Sequence, residues 1–217
     1  MDTARIADLL GPFLEASLSQ PQLNHISIYI DLLQRWNTRI NLTAIRNEEE
    51  IVTRHFGESL FLARHLFPST SNPRHPERSG LDIGAGAGFP GVPIKIWAPD
   101  IHLTLIESNH KKTVFLREVA RALILTDINV ITGRAEDLAP QVGKDFPRAD
   151  VVTLRAVERF ARVLPQAVTF MAPQARLALL IGAAQLPQLT TLTPLKWDPP
   201  IPIPKSNSRM LSIGVHR

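Results

Sequence analysis

Between Leu81 and Gly91 the chain reads LDIGAGAGFPG, and four of its eleven glycines fall inside that stretch. A glycine has no Cβ, so Gly84, Gly86 and Gly88 let a backbone that leaves a short apolar run turn tightly and come close to a ligand. Gly86-Ala87-Gly88-Phe89-Pro90-Gly91 also fits the G-x-G-x-x-G pattern of dinucleotide sites, a match that is weak alone. The stretch demands a strand, a tight loop and a helix start in that order, and the remainder of the chain must supply a fold that can hold them.

It does so by alternation. After residue 79 short apolar runs alternate with amphipathic ones: strands are expected at Leu81–Ile83, His102–Ile106, Asn129–Ile131, Asp150–Leu154 and Leu177–Ile181, and helices at Val92–Ala98, Asn109–Leu125 and Glu158–Met171. That order calls for a parallel sheet covered by helices. Thr193–Trp197 and Met210–Val215 flank a proline-rich stretch with no helix between them, so they are expected to form an antiparallel pair at one sheet edge. Upstream, apolar residues recur at helical spacing from Thr3 to Leu66, which predicts three helices broken near Gln20-Pro21 and at the polar stretch Asn41–Glu50. Residues 68–79 have no periodicity and several turn formers, and read as an exposed linker. The expected division is thus a helical extension over 1–67 packed on the core, the linker, and an α/β domain over 80–217.

Composition excludes several chemistries. No cysteine is present, which removes disulfides, thiolate metal sites and cysteine nucleophiles, and points to a reducing compartment, the cytoplasm. The seven histidines are scattered without ligand-like spacing, so no metal site is expected. The longest apolar stretch, Leu177–Ala184, is far below the roughly 20 residues of a membrane span. A formal net charge of +4 permits a polyanionic partner without requiring one.

Three features narrow the ligand of the glycine loop. Asp82 precedes the first glycine by two residues, giving the D-h-G-x-G-x-G order (h for hydrophobic) of S-adenosylmethionine methyltransferases. Pro90 and Pro93 remove amide donors that a pyrophosphate would use at a helix start. Glu107 ends the next strand, where a carboxylate serves the ribose of adenosylmethionine and of NAD equally. Beyond the third strand, ITGRAEDL offers Ala135 and Glu136 to an adenine edge. Cytosine C5 methylation needs a cysteine and is excluded. Asp198-Pro199-Pro200-Ile201 lacks the aromatic of a D-P-P-Y element and follows the sixth strand instead of the fourth, so it reads as a turn.

At this point the chain resembles a specific family, the bacterial small-subunit ribosomal RNA guanine-N7 methyltransferases, also called glucose-inhibited division protein B. The resemblance is carried, in order and over most of the chain, by LLQRWNTRINLTAIR (Leu32–Arg46), TRHFGESL (Thr53–Leu60), DIGAGAGFPGVPI (Asp82–Ile94), LIESNHKKTVFL, GRAED and the LRAV around Arg155. It implies a Rossmann-like class I S-adenosylmethionine methyltransferase fold: α/β, a mostly parallel sheet with an antiparallel edge strand, and an N-terminal helical extension. It further implies a monomer that methylates guanine N7 in 16S ribosomal RNA or a small-subunit assembly intermediate. The implied cofactor site uses Gly84, Gly86, Gly88, Phe89, Glu107, Ala135, Glu136 and Arg155. Where the family has Lys-Gly after the fifth strand, this chain has Ile181-Gly182. A methyltransferase acting on a small molecule or protein, and a dinucleotide-dependent oxidoreductase, are the competing readings.

Guanine N7 has a free lone pair and loses no proton on alkylation, so no general base is nominated and placement supplies most of the acceleration. Arg155 is a positioning candidate whose planar donors suit a guanine O6/N7 edge or a cofactor carboxylate; an ordinary ion pair at a strand end is its plainer reading. The RNA candidates are Arg35, Asn37, Arg39, Asn41, Arg46, Arg54 and His55. For the arginines the plainer reading is a solvated helix face, for the asparagines a helix cap, and for His55 a satisfied boundary residue.

Overall fold

Leu23, Ile26, Tyr29, Ile30 and Leu33 form one stripe along α2 (Gln20–Asn37), and all five are buried. The helix start is fixed locally: Ser19 N–H donates to Gln22 Oε1 at 2.9 Å, and Pro21 sits in the first turn, where no amide is needed. The computed structural model that carries these elements describes residues 1–68, 79–144, 146–155, 160–192 and 195–216. Most of the expected linker, residues 69–78, lies outside the described residues, and Ser79 belongs to a strand.

Before α2 runs α1 (Thr3–Leu10); after it, α3 (Glu48–Glu50) continues through a π-helical turn (Ile51–Gly57) into α4 (Glu58–Leu66). The cap of this third helical stretch is Asn47, whose side chain accepts from Glu50 N at 3.0 Å, and not Asn37 or Asn41. Asn37 instead organises the preceding loop, its Oδ1 accepting from Leu42 N and Thr43 N and its Nδ2 donating to Thr43 O.

From residue 79 onward the chain alternates as its apolar runs require: β1 (Ser79–Ile83), α5 (Gly91–Trp97), β2 (His102–Glu107), α6 (His110–Ala122), β3 (Ile128–Thr132), α7 (Ala135–Leu138), β4 (Ala149–Arg155), α8 (Phe160–Thr169), β5 (Met171–Gly182), α9 (Pro187–Leu192), β6 (Lys196–Trp197), β7 (Ile201–Pro202) and β8 (Arg209–Val215). The sheet order is β3-β2-β1-β4-β5-β8-β6, with β7 also on β8. β1 to β5 pair with one another in parallel, while β8 is antiparallel to β5, β6 and β7. The expected edge pair is present as β6 with β8, although Thr193 and Pro194 lie outside the described residues and the proline-rich stretch contributes a strand of its own, β7. The helix expected to reach Met171 ends at Thr169, because Met171 pairs with Ala149 and opens β5; its expected first residues, Glu158 and Arg159, lie outside the described set.

Strand order reverses at β1, which has β2 on one side and β4 on the other, and the chain leaves both flanks of β1 in opposite directions. Such a switch point opens a crevice at the carboxyl ends of the strands. The register sets what faces it. Ile83 pairs with both Ile106 and Leu154, so the next residues along the three strands, Gly84, Glu107 and Arg155, emerge at one level.

One side of the sheet is packed by α1, α2, the π turn, α5 and α6 through Leu10, Tyr29, Phe56, Val92, Leu105 and Phe115, so the N-terminal helices share a core with the glycine loop. The opposite side is packed through Ile83, Leu154, Leu164, Phe170 and Leu179. Among the described residues no helix is long and apolar enough to cross a membrane.

Candidate active site

Gly84, Gly86 and Gly88 have φ of 71°, 58° and 91°, in the left-handed region that favours glycine. The loop hangs from β2: Gly84 N and Ala85 N both donate to Ile106 O, at 2.9 and 3.0 Å, and Gly86 N donates to Glu107 Oε2 at 2.9 Å. Asp82, 1% exposed, braces it from behind, accepting from Gly91 N at 3.0 Å and from Thr153 Oγ1 at 2.8 Å. Burial pushes the Asp82 carboxyl up to about 7, against the opposing pull of those two bonds and of Arg155. Asp82 is therefore a brace for the loop and the start of α5.

In front of the loop lies a cavity of about 630 Å³, within the range of small-molecule sites. Gly84, Gly86, Phe89, Glu107, Ala135, Glu136 and Arg155 all line it, and so does His55. Gly88 does not. A Cβ there would lie 2.3 Å from Tyr29 Oη, so its missing side chain makes room for a tyrosine of α2 and not for a ligand. Glu107 is 7% exposed, with Oε1 accepting from Asn109 N at 2.7 Å. Glu136 is paired with Arg162 at 3.2 Å.

Arg155 departs from its expected role. Its Nη1 donates to His55 O and Ser59 Oγ, and its Nη2 to Arg54 O and Glu58 Oε2, so the terminal amino groups are turned into the protein. A bidentate grip on a base edge or a carboxylate is not available from this arrangement, and Arg155 acts as a clamp on the π turn. Burial lowers its pKa to about 10, with Glu58 opposing.

A model of the GidB family, described as rRNA small subunit methyltransferase G, matches residues 22–194. The chain belongs to this family. A ribosomal RNA small subunit methyltransferase G from Roseiflexus castenholzii is 44% identical over 149 residues, covering 68% of this chain and 59% of the relative. One from Chromobacterium violaceum is 35% identical over 179 residues, covering 82% and 79%. The chain thus spans less than two thirds of the first of these relatives. Among solved structures, Methanococcus jannaschii TYW2 in complex with AdoMet superposes with a TM-score of 0.55 at 15% identity, covering 74% of each chain. That likeness shows the fold, which is that of the class I S-adenosylmethionine methyltransferases.

Of the residues through which the chain resembles the GidB family, His55 alone among the RNA candidates lines the cavity; Arg35, Asn37, Arg39, Asn41, Arg46 and Arg54 lie outside it. His55 Nε2 lies 2.8 Å from Thr43 Oγ1, and its Nδ1 is buried without a partner among the described residues. Burial and the guanidiniums of Arg155, Arg54 and Arg209 lower its pKa to about 3, so the ring is neutral. Leu42 and Thr43 also line the cavity, which brings the W-N-x-x-x-N-L-T segment to the same cavity as the glycine loop. Arg35, Arg39 and Arg46 are exposed, and Arg54 is paired with Glu50 at 3.3 Å.

Sequence reasoning passed over Tyr29, Glu58 and Arg209. Tyr29 is the chain's one tyrosine and completes the α2 stripe, where a hydroxyl needs a buried partner; it donates to Ala87 O. Glu58 interrupts an apolar run and is 2% exposed, with one oxygen 3.0 Å from both Arg155 Nη2 and Arg209 Nη2. No local pattern marks Arg209. Ile181, where the resemblance implied a lysine, is buried and pairs with Met210.

Proposed function

We propose that this chain transfers a methyl group from S-adenosylmethionine to N7 of a guanine in small-subunit (16S) ribosomal RNA. The observation that carries the reading is the convergence of three successive strand ends on one cavity, closed on its remaining side by the N-terminal segment that marks the family. The names of the relatives and the AdoMet in the TYW2 structure support the same donor and substrate class.

The residues present fit the cofactor. Gly84 and Gly86 line the cavity without side chains, and Glu107 keeps lone pairs beyond those taken by Gly86 N and Asn109 N for a ribose diol. Ala135 and Glu136, which line the cavity beyond β3, would meet an adenine edge. S-adenosylmethionine would supply an electrophilic methyl on a sulfonium. The chain's own task is placement: the loop, Glu107 and the clamped π turn form fixed walls, and no lining side chain is required to move a proton, because N7 alkylation releases none. A neutral His55 and an inward-turned Arg155 suit that demand.

Incubation with methyl-labelled S-adenosylmethionine and, in parallel, naked small-subunit RNA, assembled small subunits and nucleotide-free extract tests the reading. Label recovered as 7-methylguanosine from RNA or subunits supports it, and the two arms distinguish free RNA from an assembly intermediate. Label in the extract alone, or tighter binding of NAD than of adenosylhomocysteine by calorimetry, would overturn it.

A further inference from the structure

A column of rings stands beside the cavity. Phe89 lies parallel to Tyr29, with centroids 5.3 Å apart and planes at 5°, and parallel to His55, at 4.7 Å and 17°. Phe56 meets Tyr29 and Phe89 edge-on, at 5.2 and 5.1 Å. The column is anchored at one end in the core by the fully buried Tyr29 and ends at His55, which lines the cavity.

What His55 presents to the cavity follows by elimination. Nε2 is engaged by Thr43 Oγ1, which also accepts from Ile45 N at 3.1 Å, and Nδ1 is buried. Phe89 is the one ring stacked on it among the described residues. The imidazole therefore offers carbon surface, flat and supported from behind. Arg155 nearby offers no free amino group. An acceptor that enters beside these residues meets a plane and not a set of hydrogen-bonding groups.

We propose that His55 is the stacking platform for the acceptor base, so that the target guanine continues the Tyr29–Phe89–His55 column. The proposal rests on the function given above and identifies how the acceptor is held in it. Base-on-ring stacking needs no hydrogen-bond code and is strong for purines. It also suits the charge that the reaction creates: the N7 lone pair forms the new bond to carbon, the electrons of the old carbon–sulfur bond remain on sulfur, no proton moves, and the positive charge passes to the purine. A neutral ring backed by Phe89 and Tyr29 accommodates a cationic base, as aromatic faces accommodate cations generally, whereas an imidazolium would repel it. Burial first, and then the three guanidiniums around His55, keep that proton away.

The test compares ring with bulk. His55→Phe keeps a flat ring and loses both nitrogens; His55→Leu keeps apolar bulk and loses the ring. With small-subunit RNA and S-adenosylmethionine, the Leu variant should lose about 5- to 150-fold in kcat/KM for RNA, the range expected for one base–aromatic stack, while its adenosylhomocysteine affinity and melting temperature match those of the Phe variant. The Phe variant should retain most of kcat/KM. Phe and Leu variants equally impaired would overturn the proposal in favour of a nitrogen-based role, and a Leu variant as active as wild type would overturn it in favour of mere packing. In either case wild-type transfer to RNA leaves the proposed function standing. A wild-type protein that transfers nothing to RNA overturns both.

Discussion

Replacing Gly88 by alanine puts a methyl group where Tyr29 Oη already stands, 2.3 Å away, with Leu116 Cδ2 and Val92 Cγ2 each at 3.0 Å, at a φ of +91°. The backbone term for a non-glycine residue in the left-handed region is about 1–2 kcal/mol, and overpacking adds about 1–3 kcal/mol. Gly88→Ala should therefore destabilise by about 2–5 kcal/mol, which a domain of ordinary stability survives. Tyr29→Phe alone leaves the Ala87 carbonyl without its buried donor, at about 1–3 kcal/mol. The double variant is the decisive measurement. With Oη gone the worst contact disappears, so urea denaturation should find the pair less destabilised than the sum of the singles by about 1–3 kcal/mol. Adenosylhomocysteine affinity, which falls in Gly88→Ala because the loop is displaced, should partly recover. Additivity within about 0.5 kcal/mol would mean that Gly88 and Tyr29 do not meet, and the reasoning that removed Gly88 from the ligand site would fail.

Two groups, the buried Asp82 and the half-buried His55, give stability slopes of opposite sign. His55 has its pKa lowered from 6.5 to about 3, so the unfolded chain binds the extra proton and stability is lost as pH falls through that window; the urea midpoint of wild type relative to His55→Phe should drop between pH 6.5 and 3. Asp82 has its pKa raised from 3.8 to about 7, so the folded state holds the proton and stability is lost as pH rises; wild type relative to Asp82→Asn should weaken across that interval, and a flat difference in either comparison refutes the corresponding burial argument. Glu107→Ala should weaken adenosylhomocysteine by about 1–3 kcal/mol in calorimetry and also lower the melting temperature, since Gly86 N and Asn109 N lose their acceptor. Replacing Arg35, Arg39 and Arg46 together by alanine should flatten the salt dependence of RNA binding by at most about one per phosphate contact and leave adenosylhomocysteine affinity unchanged; unaltered binding at every salt concentration would make them a solvated face.

The fold was legible where a signal is local. Strands buried on both faces read as short apolar runs, and the α2 stripe read as a helix because its period is that of a helix. The strand start at Met171 was not legible, because the apolar run Phe170–Ala172 suits either element and the pairing with Ala149 decides. The site divided in the same way. Gly84, Gly86, Phe89, Glu107, Ala135 and Glu136 follow strand ends and could be placed by position. Gly88 and Arg155 could not, since their functions depend on Tyr29 and Glu58, partners far away in the chain whose approach only the packing of α2 and α4 against the sheet creates.

The position of β8 has a consequence for how the protein is made. Among the described residues it is the last strand in sequence order, yet it lies inside the sheet, bonded to β5 along Arg209–Val215 and flanked on its other side by β6 and β7. A chain leaving the ribosome exposes its earlier strands while that slot is still empty, and Glu58 waits for Arg209, which is synthesised about 150 residues later. β5 ends at Gly182 and β8 begins at Arg209, so the edge of β5 stays open to stray strand pairing while the 26 residues between them are made, and it closes when β8 inserts.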